Sequence, residues 1–219
     1  SHFGTTDVAL TFLITASVGL IVAAHASRST RLFVAAGLLG GFAAATKYNA
    51  LLLIVPITAS YLLNIVESRG RRGAIRDVRL LAFGAPYLAG FIVGVPFLLF
   101  DRQRFLHAMQ LLSYSMKVGE PSLALGSGYV HHLVFSLRYG LGLPLLLAGL
   151  VGTALVVGRE PRMAALLLSF PFAYYLVAGG IRNLFFRYVI PLVPFLCLTA
   201  ARAVGLGAGL AASWLSRWF

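Results

Sequence analysis

The stretch VALTFLITASVGLIVAAHA, from Val8 to Ala26, decides the fold of this chain. It contains no Asp, Glu, Lys or Arg, and about 20 predominantly apolar residues are the length that an α-helix needs to cross a bilayer. Similar stretches follow at 32–46, 50–66, 80–100, 141–158, 163–179 and 188–204, with an eighth segment near 205–219. The sequence therefore predicts an all-α, polytopic bundle of about seven to eight transmembrane helices.

The composition excludes an ordinary soluble domain. Of the 219 residues, 59% are hydrophobic and 11% are charged, whereas a soluble domain carries about 25% charged residues. In a soluble protein, a net charge of +12 would suggest nucleic-acid binding. In a membrane protein, the cations instead reflect which side of the bilayer each loop occupies, so we expect no nucleic-acid partner. Cys197 is the single cysteine, which excludes an internal disulfide. We expect one multi-pass transmembrane domain over 1–219, with the lipid bilayer as its partner.

The orientation follows from the cations, because cytoplasmic loops carry an excess of Lys and Arg. The loop 67–79 is rich in arginine and is therefore predicted to be cytoplasmic. Alternation of the spans then places ten cations inside and seven outside, the outer seven being Lys47, Arg102, Arg104, Lys117, Arg138, Arg182 and Arg187.

The longest outer segment, 101–138, is predicted to be an extracytoplasmic loop that begins with a short helix. Asp101 is placed to cap that helix, and Phe105, Met109, Leu112 and Met116 form an apolar stripe. Such a helix could lie on the membrane surface or simply pack against the bundle. The pairs Gly37/Gly41 and Gly90/Gly94 predict close contacts between helices within the bundle.

Asp7 is the candidate catalytic acid, since it precedes the first span on the predicted outer side. A carboxylate at this position can cap the helix, and it can also accept a proton from an acceptor hydroxyl. Lys47 lies in the next outer turn, where it is either an interface anchor or a cation for a lipid phosphate.

Three arginines and a tyrosine near the predicted outer surface are the other candidate binding residues: Arg138, Arg182, Arg187 and Tyr188. They could hold a phosphate or belong to an aromatic belt at the interface. We predict that Asp7, Lys47 and Arg187 converge on one cavity, because the bilayer brings the outer ends of different spans to one depth. The neighbouring histidines His131 and His132 are a poor metal signal.

Several segments together resemble a known group of enzymes: HFGTTDVALTF at 2–12, GLLGGFAAATKYNALL at 37–52, PFLLFDRQRF at 96–105 and RYVIPLVPFL at 187–196. They are similar to the bacterial relatives of protein O-mannosyltransferases and lipid A aminoarabinose transferases, which are family 39-like glycosyltransferases of the GT-C class. The resemblance spans most of the chain in the correct order, and Lys47 and Arg187 match family-like motifs.

The resemblance implies a multi-pass enzyme of the bacterial plasma (inner) membrane. Such an enzyme transfers a sugar from a polyprenyl-phosphate donor to a glycan, lipid or protein acceptor on the extracytoplasmic face. It also implies two acidic positions, of which Asp7 matches one and the other lies in an outer loop before this chain begins. We therefore expect a fragment that lacks the first span and first outer loop and is inactive alone.

The sequence does not decide whether the protein binds a divalent metal ion as a cofactor. Some relatives bind one, while no cluster in this sequence has a recognisable ligand spacing. Asp7 could be the base or part of a metal site. The rival interpretations are a non-enzymatic transporter or flippase subunit, which would favour charges at mid-span, and a structural or assembly protein.

Overall fold

The structure is a computed structural model that describes residues 6–67, 78–118, 126–181 and 184–216, and all its regular elements in these ranges are helical. The α-helices, in chain order, are α1 (Thr6–Ser27), α2 (Thr30–Thr46), α3 (Ile54–Glu67), α4 (Arg79–Gly94), α5 (Phe97–Phe100), α6 (Arg102–Val118), α7 (Gly128–His131), α8 (Arg138–Leu141), α9 (Leu143–Arg159), α10 (Pro161–Leu167), α11 (Ser169–Gly180) and α12 (Val193–Leu215). Two 3-10 segments, Tyr48–Leu53 and Phe186–Leu192, and a π-helical turn, His132–Leu137, complete them.

Within the described residues, three continuous helical stretches are long and apolar enough to cross a membrane: Thr6–Ser27, Tyr48–Glu67 and Phe186–Trp214. The number rises to five if each of two bent pairs counts as one span. One pair joins Gly128–Leu141 to Leu143–Arg159 at 116°, and the other joins Pro161–Leu167 to Ser169–Gly180 at 51°. The all-α, membrane-spanning fold is therefore confirmed, whereas seven to eight spans remain a prediction.

Two predicted boundaries are wrong. The predicted span 80–100 is interrupted, because α4 ends at Gly94 and α5 begins only at Phe97. Pro96 accounts for the break, since it has no N–H for the helix ladder and disfavours helical geometry in the residue before it. At the other end of the chain, the predicted seventh span and eighth segment share one helix, because α12 runs without interruption to Leu215. The turn that would separate them is absent from this described stretch.

One face of helix α1 is buried in the bundle. Leu10, Ile14, Val18 and Ile21, spaced by four, four and three residues, form a stripe with no exposed surface. This stripe packs against α2, where the buried hydroxyl of Ser17 also donates a hydrogen bond to the carbonyl of Ala36 at 2.9 Å. The polar first turn of α1 is thereby held at one end of the bundle.

The predicted glycine contacts join α2 to α4. A Cβ atom placed on Gly37 would lie 2.1 Å from the carbonyl oxygen of Phe83, and one on Gly41 would lie 2.1 Å from that of Tyr87. Gly90 packs back against the backbone of α2, where its Cβ would lie 2.7 Å from the carbonyl oxygen of Leu38. The two backbones approach this closely because none of these residues carries a side chain, so the prediction of small-residue packing is confirmed.

A polar network ties the helices together at the opposite end of α1. His25 accepts or donates a hydrogen bond with Ser60 at 3.0 Å, and Arg79 donates to the carbonyl of Ser60 at 3.2 Å. Glu67 lies 3.8 Å from the His25 ring and 3.7 Å from Arg162. These contacts connect α1, α3, α4 and α10, and they fix the end of the bundle that is predicted to face the cytoplasm.

The segment 101–138 contains α6, as the sequence predicts, and Asp101 caps it by accepting a hydrogen bond from the backbone N–H of Arg104 at 3.0 Å. Phe105 and Met109 of the predicted stripe are half-buried, while Leu112 is exposed. The segment ends in the π-helical turn and α8, after which Gly142, with φ at +78°, bends the chain into α9. The interfacial position of α6 and the loop as a separate region remain predictions.

Candidate functional site

Asp7 is a buried carboxylate in the first turn of α1, with 3% of its surface exposed. Its Oδ1 atom accepts a hydrogen bond from Lys47 Nζ at 2.7 Å, and its Oδ2 atom lies 3.9 Å from Arg187 Nε. The three residues meet as predicted, although Lys47 and Arg187 are 40 and about 180 residues away in the sequence, whereas the predicted shared cavity and its outer location remain predictions. We call Asp7, Lys47, Arg187 and Tyr188 the Asp7 cluster.

Lys47 lies at the junction where the chain leaves α2 and enters the first 3-10 segment. It has an extended backbone (φ −161°, ψ 133°) between α2 and the 3-10 segment Tyr48–Leu53. Its N–H donates to the carbonyl of Ala43 at 2.9 Å, and its own carbonyl accepts a hydrogen bond from Ala50 at 3.1 Å. The backbone of Lys47 thus closes one helix and starts the next, while its side chain projects to Asp7.

Tyr188 and Arg187 approach the same carboxylate from the second 3-10 segment. Lys47 Nζ lies 4.8 Å from the centre of the Tyr188 ring, a distance at which a cation is attracted to the face of an aromatic ring. Arg187 is half-exposed, and its guanidinium lies 4.9 Å from the centre of the Phe185 ring. The cluster therefore has a buried side formed by Asp7 and an open side formed by Arg187.

The Asp7 cluster carries an excess of positive charge. Asp7 contributes one negative charge, while Lys47 and Arg187 each contribute one positive charge, which leaves +1. Two cations beside one carboxylate leave a local positive charge that attracts an anion. The arrangement is therefore suited to a bound anion that shares the two cations with Asp7.

A cavity of about 470 Å³ lies beside the cluster, and Arg187 lines it together with Tyr139, Phe186 and Ser136. Arg138, a predicted phosphate ligand, is exposed next to this cavity, with its guanidinium 5.8 Å from the Tyr139 ring centre. Among the described contacts, it does not reach Asp7. Arg182, the other such residue, lies outside the described residues.

The sequence analysis missed Tyr174 and gave Asn49 no role. Asn49 follows Lys47 by two residues, and its Nδ2 atom donates a hydrogen bond at 3.2 Å to the hydroxyl of Tyr174, which is 1% exposed on α11. The position of Tyr174 in an apolar span could have indicated such a contact, because a buried tyrosine hydroxyl usually requires a hydrogen-bond partner. Its partner, 125 residues away, is visible only in the fold.

The charges around Asp7 do not fit a metal ion. Both carboxylate oxygens face cations, so a divalent ion at Asp7 would be repelled by Lys47 and Arg187. In the part of the chain that the structure describes, no three His, Cys, Asp or Glu side chains come together as a ligand set.

The apolar helices and the charged cluster at their ends define a multi-pass membrane protein. Residues 1–100, a little under half of the chain, match the family model described as dolichyl-phosphate-mannose-protein mannosyltransferase. This match confirms the resemblance found in the sequence over residues 1–100. The match includes Asp7 and Lys47 and ends before Arg187. No curated protein and no solved structure matches the chain.

Proposed function

We propose that this chain forms part of a GT-C glycosyltransferase that moves a sugar from a polyprenyl-phosphate donor to an acceptor on the extracytoplasmic face of a bacterial plasma membrane. The observation that carries the proposal is the Asp7 cluster, in which one carboxylate and two cations meet at the ends of apolar helices. The family of residues 1–100 supplies the class of donor.

The chemistry assigns different tasks to the acid and the cations. Asp7 accepts the proton of the acceptor hydroxyl while the hydroxyl oxygen forms a bond to C1 of the sugar. The bond between C1 and the phosphate oxygen breaks, and the electron pair leaves with the polyprenyl phosphate. Lys47 and Arg187 stabilise the negative charge that develops on this phosphate.

Lys47 and Arg187 contact the same carboxylate that acts as the base, so a donor phosphate beside them would share both cations with Asp7. The cavity of about 470 Å³ on the Arg187 side offers space for a headgroup beside the cations.

The distribution of charges supports an enzyme over the rival transporter. The described ion pairs join residues near the ends of helices or in the turns between them, as Asp7–Lys47 and Glu67–Arg162 do. A transporter would instead favour charged groups near the middle of its spans.

The test uses the full-length protein in nanodiscs with a panel of polyprenyl-phosphate sugars, and it measures release of polyprenyl phosphate. Asp7→Asn should lower kcat by about 10²–10⁴-fold, since an amide cannot accept the proton. Lys47→Met should raise the KM for the donor, because it removes a phosphate ligand.

Asp101→Asn is the matched control, because Asp101 is also an acid at the start of a helix and pairs with a cation, Arg104. Its turnover should equal that of the unmodified protein. Wild-type turnover by Asp7→Asn would rule out the proposed role of Asp7, and failure of the unmodified protein to bind or use any donor would rule out the proposed function.

A further inference from the structure

The turn that follows Lys47 is attached to several helices. The ring of Tyr48 makes edge contacts with Phe91 of α4 and Phe105 of α6, at centroid distances of 6.5 and 6.4 Å. The hydroxyl of Tyr87 donates a hydrogen bond to the carbonyl of Ala50 at 3.1 Å. These contacts hold one side of the turn against α4 and α6.

The hydrogen bond from Asn49 to Tyr174 holds the opposite side. It joins the Lys47 turn to α11, and α11 also packs against the 3-10 segment that carries Arg187 and Tyr188. Tyr174 lies close enough to Asp7 and Tyr188 to interact with them electrostatically. The buried Tyr174 therefore links the Lys47 turn to the region around Asp7 and Tyr188, the two residues that Lys47 contacts.

We propose that Asn49 and Tyr174 are positioning residues, which hold the Lys47 turn so that the ammonium group stays against Asp7 and over the Tyr188 ring. A lysine side chain has several freely rotating bonds, so the direction of its backbone decides which carboxylate it reaches. The Asn49 amide donates to the Tyr174 oxygen, which leaves the tyrosine proton available for a second hydrogen bond within the site. The consequence for donor binding rests on the proposed function, whereas the position of Lys47 does not.

The sequence provides an internal reference for a direct test, because Lys47 and Lys117 are its two lysines. An amine-reactive acylating reagent is applied to the full-length protein in nanodiscs, and mass spectrometry gives the ratio of labelling at Lys47 to labelling at Lys117. The ion pair with Asp7 slows acylation of Lys47, so the ratio reports how firmly that lysine is held.

Tyr174→Phe removes one oxygen atom and should raise this ratio about two- to tenfold, the factor that corresponds to one hydrogen bond. Asn49→Leu, of similar volume, should give the same increase, and the double variant should exceed neither single variant. Tyr175→Phe is the matched control, since Tyr175 is the next residue on α11 and its hydroxyl bonds to the carbonyl of Tyr129 at 2.6 Å. It should leave the ratio unchanged.

A second measurement separates this proposal from the proposed function. Binding of undecaprenyl phosphate should weaken by a similar factor in Tyr174→Phe and stay constant in Tyr175→Phe. An unchanged labelling ratio in both Tyr174→Phe and Asn49→Leu would overturn the positioning role. A raised ratio in a protein whose unmodified form neither binds undecaprenyl phosphate nor uses any polyprenyl-phosphate sugar of the panel would uphold the positioning role and overturn the proposed function.

Discussion

The pair formed by Asp7 and Lys47 allows a quantitative prediction about stability. The Asp7 side chain is 4% exposed and that of Lys47 is 23% exposed, so Lys47→Met leaves a carboxylate largely out of water. Removing one partner of a fully buried pair costs about 3–5 kcal/mol of unfolding free energy. Because Arg187 remains 3.9 Å from Asp7 and the site is partly open, we expect a loss of about 2–3 kcal/mol for Lys47→Met.

A double-mutant cycle isolates the interaction itself. Asp7→Asn should cost less than Lys47→Met, since the cations that it leaves are more exposed to water than the carboxylate. The double variant should be no less stable than Lys47→Met alone, which gives a coupling energy of about 1–3 kcal/mol. Reversible unfolding in mixed micelles with increasing fractions of denaturing detergent measures all four proteins.

Asp101 and Arg104 provide the control cycle. This pair lies within 3.6 Å, but its side chains are 42% and 79% exposed, so water and salt screen its attraction. Its coupling energy should be at most about 0.5 kcal/mol. A coupling energy for Asp7 and Lys47 no larger than that of the control would refute the buried ion pair and the geometry of the cluster.

Two further predictions concern the bundle. Gly41→Ala should destabilise the protein by about 1–3 kcal/mol in the same unfolding assay, because the new methyl would lie 2.1 Å from the Tyr87 carbonyl oxygen. Gly84→Ala, whose Cβ meets nothing within 4 Å, should not destabilise it. In a variant without the native cysteine, an impermeant thiol reagent applied to sealed cells should label a cysteine at position 117 and not one at 72. Labelling at position 72 but not at position 117 would show that the predicted orientation is wrong.

Local patterns in the sequence predict much of the fold because they concern neighbouring residues. Four-residue spacing places Gly37 and Gly41 on one face of α2, and the position of Asp101 before an apolar stripe makes it a cap for α6. Pro96 indicates a kink within the predicted span 80–100, and the structure shows that the helix is interrupted there. Hydropathy alone cannot detect such a break, because apolar residues continue on both sides of the proline.

The sequence by itself determined that the chain is a helical membrane protein and that Asp7, Lys47 and Arg187 belong to helix ends. Alternating spans in a bilayer restrict such residues to one depth, so their convergence could be predicted from topology. Only the tertiary structure decided which atoms meet: Lys47 Nζ on Asp7 Oδ1, and Asn49 on Tyr174. The physical reason is that lateral helix packing fixes these partners, through side-chain contacts between residues far apart in the chain, which no local spacing encodes.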